Sequence, residues 1–230
     1  MTNNTTRKSL LIYSRIAGFA YILIILLGIF SVNYVESRLV VPDDLAATVK
    51  NISSNEFLFR VGFISEVCMY ALVVLLSLAL YVILKSVDKN LALLALLWRV
   101  GEAIIGGATA VLSGIIPLLL ISNGTDFEPK QLSILVGIFL DARGAGLDVV
   151  LFFIGFGGTL FCYLFFKSGY VPKFLAGWGI FTYMTMLIVS FMSMLLPNLS
   201  ETVKLVFFAP GGLFEVLFGL WLIIKGVRLH

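Results

Sequence analysis

Apolar runs long enough to cross a bilayer recur along the whole chain, near residues 12–31, 61–84, 91–121, 147–166, 174–196 and 204–225. Each supplies about 20 residues or more, the length a helix needs to cross roughly 30 Å of hydrocarbon. Backbone in hydrocarbon must satisfy its own N–H and C=O groups, which leaves helices and closed barrels. Runs that are apolar on every side, rather than at alternate positions, select the helix. Composition agrees: 60% of residues are hydrophobic and 13% charged, and the mean hydropathy is +1.06, far outside the range of soluble domains. The expected fold is all-α: a polytopic membrane protein, one membrane domain over residues 1–230, built as a bundle of six transmembrane helices.

The loops give the orientation. One set carries Arg7, Lys8, Arg15, Lys85, Lys89, Lys167, Lys173, Lys225 and Arg228 against the single acid Asp88. The other carries Arg38, Lys50, Arg60, Lys130 and Lys204 against seven acids. Positive charge is retained on the cytoplasmic side, which predicts that both termini are cytoplasmic. The net charge of +3 therefore reflects topology, and no nucleic-acid partner is expected. The first run lacks a small-residue cleavage site and reads as an uncleaved helix.

Outside the spans, "VVPDDLAATVKNI" reads as a short helix with Asp43 and Asp44 in its first turn. Ser53 to Glu56 and Thr125 to Glu128 both fit the capping-box spacing. The second would start a helix that, unbroken to Phe166, would measure about 54 Å. Arg143-Gly144-Ala145-Gly146 offers a break, so the expectation is a short outer helix near 127–141 before the fourth span, and a fresh membrane helix from about Leu147. A weak repeat at an offset of 82 sets Gly62 and Glu66 opposite Gly144 and Asp148. Ala103 with Gly107, Ala110 with Gly114, and the glycines 155, 157 and 158 predict close helix packing. Asn51, Asn123 and Asn198 begin glycosylation triplets, which carry no meaning in a bacterium.

Ionisable groups within the spans are expensive unless paired or hydrated, so they face inwards and mark sites. Seven remain once loop charges are removed: Glu66, Arg99, Glu102, Asp141, Arg143, Asp148 and Glu215. Counted at 1.5 Å per residue, Arg99, Glu102 and Glu215 lie about 14, 18 and 15 Å from the inner boundary. Arg99 and Glu102 are three apart, where helix side chains meet. They form either a self-neutralising packing pair or a cradle in which Arg99 holds an anionic ligand group. Glu215 adds a carboxylate that needs a proton or a hydrogen bond from Tyr or Ser. Glu66, Asp141, Arg143 and Asp148 belong to the outer quarter. Arg143 folded between Asp141 and Asp148 would form a charged cover over a cavity mouth, and helix capping by Asp148 is the alternative.

Several chemistries have no residues to run them. The only histidine is His230, so a His-based metal centre and a Ser-His or Cys-His catalytic pair are excluded. No phosphate loop is present, and neither metal nor cofactor is expected. Cys68 and Cys162 would differ in depth by about 18 Å at 1.5 Å per residue, too far for a disulfide.

"RIAGFAYILIILLGIFS", "VVPDDLAAT", "LALYVILKSVDKNLALLALLWR", "LDARGAGLDVVLFF", "YLFFKSGYVPKFLAGW" and "LWLIIKGV" together resemble the bacterial membrane family known as domain of unknown function 4386. The resemblance runs in order from about residue 10 to 228. It implies a six-helix protein of the bacterial plasma membrane and brings no mechanism. Arg99, Asp141, Lys167, Pro172 and Glu215 fall on positions that match the family's motifs.

Three readings of function follow. The leading one is small-molecule binding or transport through a polar cavity, with Arg99 on a polar or anionic head group, Glu102 and Glu215 as its partners, and Glu66 and Asp148 at the mouth. The second is an intramembrane hydrolase of a lipid-like substrate, working through paired carboxylates. The third is a structural or partner-binding membrane protein whose charges fix helix packing. The expected partners are membrane lipids and a small polar or amphiphilic ligand, and a homo-oligomer is left open.

Overall fold

A computed structural model describes residues 2–124, 127–196 and 199–228. All regular structure among them is helical. Helix α1 (Thr2–Ile29) continues through a π-helical segment, Phe30–Glu36, into a last turn, Ser37–Leu39. Then follow α2 (Leu45–Ser54), α3 (Glu56–Leu84) and α4 (Lys89–Ala110). The last of these passes through a second π segment, Val111–Ile115, into Ile116–Asn123. Helices α5 (Pro129–Ser168), α6 (Lys173–Leu195) and α7 (Glu201–Ile224) complete the chain.

Six of these helices are long and apolar enough to cross a membrane, and they enclose the six runs read from sequence except for the last residue of the fifth run and of the sixth. Their outward surface is apolar as well. Phe57 and Phe174 are 80% exposed, and Ile104, Leu195 and Ile224 lie similarly bare. A surface of that kind demands lipid rather than water around it.

Polar residues punctuate the ends. The Asp44 carboxylate accepts from the Ala47 N–H at 2.8 Å and starts α2. The short helix after Pro42 thus forms as expected, with its acid at the cap position instead of inside the first turn. Asp88 accepts from Leu91 N–H at 3.1 Å at the head of α4, and Ser200 from Thr202 N–H at 3.2 Å at the head of α7. Between α5 and α6 the chain turns at Gly169, whose φ of 68° favours glycine.

Four local expectations need correction. The fourth apolar helix does not break at Arg143–Gly146: α5 is continuous over 40 residues, about 60 Å. Glycine weakens a helix by only about 1 kcal/mol, and the ion pairs of Arg143 described below hold this stretch. Ser53 is no cap, because α2 runs through it to Ser54; Glu56 instead pairs with Arg60 at 2.6 Å. Gly107 packs against nothing, while its neighbour Gly106 lies under the Tyr70 ring. The glycines at 155, 157 and 158 do pack, against Leu187, Arg99 and Tyr183. Positions matched by the 82-residue offset are not equivalent: Gly62 meets Val35, and Gly144 faces open space. The cap at Thr125–Glu128 and the triplet at Asn198 involve residues outside the described set.

The chain sorts into two compact units. The first holds the described residues of Met1–Ile25, Ala71–Ala103 and Asp148–His230. Its core is Leu76, Leu80, Phe161, Phe165, Phe214 and Phe218, all 2% exposed or less. The second holds Leu26–Tyr70 and Ile104–Leu147, around a smaller apolar cluster of Val35, Leu39, Ile52 and Leu118. Both cysteines are free thiols.

Candidate functional site

In the second unit, three helical segments bring a guanidinium onto two carboxylates. Arg143 of α5 sets Nη2 2.6 Å from Oε1 of Glu66 on α3. Its Nη1 lies 3.2 Å from Oε2 of Glu36, in the π segment after α1. Ser31 donates to the same Oε1 of Glu66 at 2.5 Å. Glu66 is only 8% exposed, and two donors on one of its oxygens offset the loss of hydration that a buried carboxylate suffers.

The π geometry explains how Ser31 and Glu36 can serve one site. Five residues apart on an α-helix, two side chains point about 140° away from each other. Hydrogen bonds closing from i to i+5 return them towards a common face. The second π segment supplies Ser113 and Gly114 to the same cavity. Such segments are rare and recur at functional sites; here two of them, on different helices, line one space.

That space is real volume. A cavity of about 160 Å³ is lined by Glu36, Asp141, Phe59, Phe63, Gly62 and Gly114, among others. A second, of about 190 Å³, is lined by Met69, Tyr70, Thr109 and Leu147. Ser31, Glu66 and Arg143 line both. The ion pair is therefore their common wall. Asp141, exposed, stands at the rim of the first.

The first unit holds the other polar cluster. Arg99 and Glu102, one turn apart on α4 and 4% and 2% exposed, approach to 2.7 Å between Nη1 and Oε2. Neither atom has an aligned hydrogen bond, so the contact is one of charge with charge. The Arg99 stem lies on Gly157 of α5, where any larger residue would collide with its methylenes. Tyr183 of α6 donates to Oε1 of Glu215 at 2.9 Å, which supplies the hydrogen bond expected for that carboxylate, and its oxygen lies 3.4 Å from that of Tyr21. Glu215 also lies within electrostatic reach of Arg99. Asp148 is tied to α6: Ser193 donates to its carboxylate and Ser190 to its backbone carbonyl, each at 2.7 Å.

The seven charges read from sequence thus fall into two groups. Arg99, Glu102, Asp148 and Glu215 belong to the first unit, and Glu66, Asp141 and Arg143 to the second. Arg143 pairs with two glutamates, not with the aspartates that flank it. Sequence reasoning missed Ser31, Glu36 and the tyrosines. Glu36 reads as a loop acid because the apolar run ends at Ser31, and nothing in the local composition announces the π segment that carries the helix on to Leu39.

Six long apolar helices with paired charges inside them define a multi-pass membrane protein. The chain belongs to the family described as Domain of unknown function (DUF4386), which it matches over residues 16–226. That span contains every residue of both clusters. Comparison with curated proteins and with solved structures returned no match.

Proposed function

We propose that this protein binds a small molecule in the paired cavities of its second unit, as a binding or transport protein of the bacterial plasma membrane with both termini in the cytoplasm. One observation carries the reading: an Arg–Glu–Ser cluster, its Glu66 carboxylate buried, forms the shared wall of two cavities. Structural ion pairs need no empty volume beside them, and ligand sites need a concave space with a few convergent polar groups.

The cluster around Arg99 we assign to architecture. Arg99 already has Glu102 and Glu215 has Tyr183, so each charged group is answered from within the unit. Of the carboxylates that a hydrolase would pair, Glu102, Glu215 and Asp148 are likewise engaged, the last by Ser193.

Native mass spectrometry of the protein released from its own membranes tests the site. The wild type is expected to carry a discrete extra mass that Glu66→Gln and Ser31→Leu both lose while remaining folded by size exclusion. A mass retained in both variants, or no mass on the wild type, removes the reading. For orientation, a green fluorescent protein fused after the C-terminus is expected to fluoresce in intact bacteria, because it does so only when left in the cytoplasm. A dark fusion of full length would place that end outside.

A further inference from the structure

The cavity pair carries more negative than positive charge. Glu36 and Glu66 share the one guanidinium of Arg143, and Asp141 at the rim adds a third carboxylate. An anion entering this space would meet like charge in a poorly screened setting, where repulsion is strong. A cation would meet the opposite. The molecule already demonstrates the preference internally, since the group occupying the two carboxylates is itself a cation on a side chain.

Shape limits the cation. An engineered cavity of about 150 Å³ in another protein holds benzene, so the 160 Å³ space admits a body on the order of six to eight non-hydrogen atoms. Its walls include Val35, Phe59, Phe63 and Leu140, which suit a short apolar body, and aromatic faces add attraction for a positive head. A metal ion fits less well: among the described residues no three His, Cys, Asp or Glu side chains come together as a ligand set.

We infer, building on the small-molecule reading above, that the ligand is a protonated amine with a short apolar body, and that its ammonium group takes the place of Arg143 on Glu66 and Glu36. Ammonium and guanidinium compete for the same oxygens. Because Arg143 and Glu66 form the wall common to both cavities, displacement of Arg143 also joins the two spaces. Arg143 is then an internal stand-in for the ligand, and it sets the threshold a cation must exceed to bind.

The test uses the full chain in lipid nanodiscs and three probes of similar size: benzylammonium, neutral benzyl alcohol and anionic phenylacetate. Binding is followed by ligand-observed nuclear magnetic resonance. Benzylammonium is expected to bind, with benzyl alcohol weaker by roughly tenfold or more, as the loss of a charged hydrogen bond implies, and phenylacetate without effect. Glu66→Gln should weaken benzylammonium by roughly tenfold or more. Arg143→Gln should tighten it several-fold, a gain that misfolding does not imitate. Equal or stronger binding of phenylacetate or benzyl alcohol, or weaker benzylammonium binding in Arg143→Gln, overturns the cation assignment and leaves a cavity that binds something else. Failure of all three probes overturns the cation assignment and the cavity reading together.

Discussion

Arg99→Ala is expected to lower the stability of the purified protein by about 3–5 kcal/mol, the usual consequence of leaving a buried charge without its partner. Glu102 is 2% exposed and meets Arg99 at 2.7 Å, so truncation strands its carboxylate where neither water nor another cation of the same turn reaches it. For a chain of this length each kcal/mol corresponds to roughly 2–4 °C in midpoint, which puts the drop on the order of 10 °C. The double variant Arg99→Met, Glu102→Leu is expected to unfold close to the wild type. Removing both charges restores an apolar interior of similar volume, and such replacements are often neutral or stabilising. Thermal unfolding monitored by loss of the size-exclusion peak separates the two. A single variant as stable as the wild type would mean that the buried Glu102 carboxylate loses its partner within α4 without cost. A stable double variant that lost a bound ligand would return this cluster to the functional site.

The two clusters also show what a membrane sequence makes legible. Span number follows from length and apolarity because a bilayer demands both, and six helices enclose the six runs, although α5 begins at Pro129, well before its run. The Arg99–Glu102 pair is readable for a similar reason: a spacing of three is a local property of a helix. Which distant side chain answers a charge is another matter. A helix that is apolar all round gives no face to orient it by, so Arg143 could be assigned to its sequence neighbours Asp141 and Asp148, and its partners are Glu36 and Glu66 from other segments. The π segments compound this. They shift the face on which Ser31 and Glu36 lie, and nothing in the residues of Phe30–Glu36 marks that segment as π rather than α. Arg143–Gly146 misleads in the opposite direction, because glycine's modest helix penalty is exceeded by tertiary contacts that the sequence does not display.

Gly158 and Gly107 make a matched pair of substitutions with opposite expected signs. A Cβ on Gly107 would meet no atom within 4 Å. Alanine there removes backbone freedom from the unfolded chain, so Gly107→Ala is expected to gain about 0.5–1 kcal/mol. A Cβ on Gly158 would press on the ring of Tyr183, which is 1% exposed and packed in the core of the first unit. Overpacking of this kind costs about 1–3 kcal/mol. The ring is also fixed at its far end, where its hydroxyl donates to Glu215 at 2.9 Å and lies 3.4 Å from Tyr21. If the ring shifts, that bond to a carboxylate is lost, and a hydrogen bond to a charged group is worth about 1.5–3 kcal/mol. Gly158→Ala is therefore expected to be destabilised by on the order of 3 kcal/mol, more than Tyr183→Phe, which loses the hydroxyl and keeps the packing. Unfolding midpoints of the three variants in one detergent check the order. Equal midpoints for Gly158→Ala and Gly107→Ala would show that α5 and α6 can slide apart without loss, and the Tyr183–Glu215 bond could then not be what fixes the register between α6 and α7.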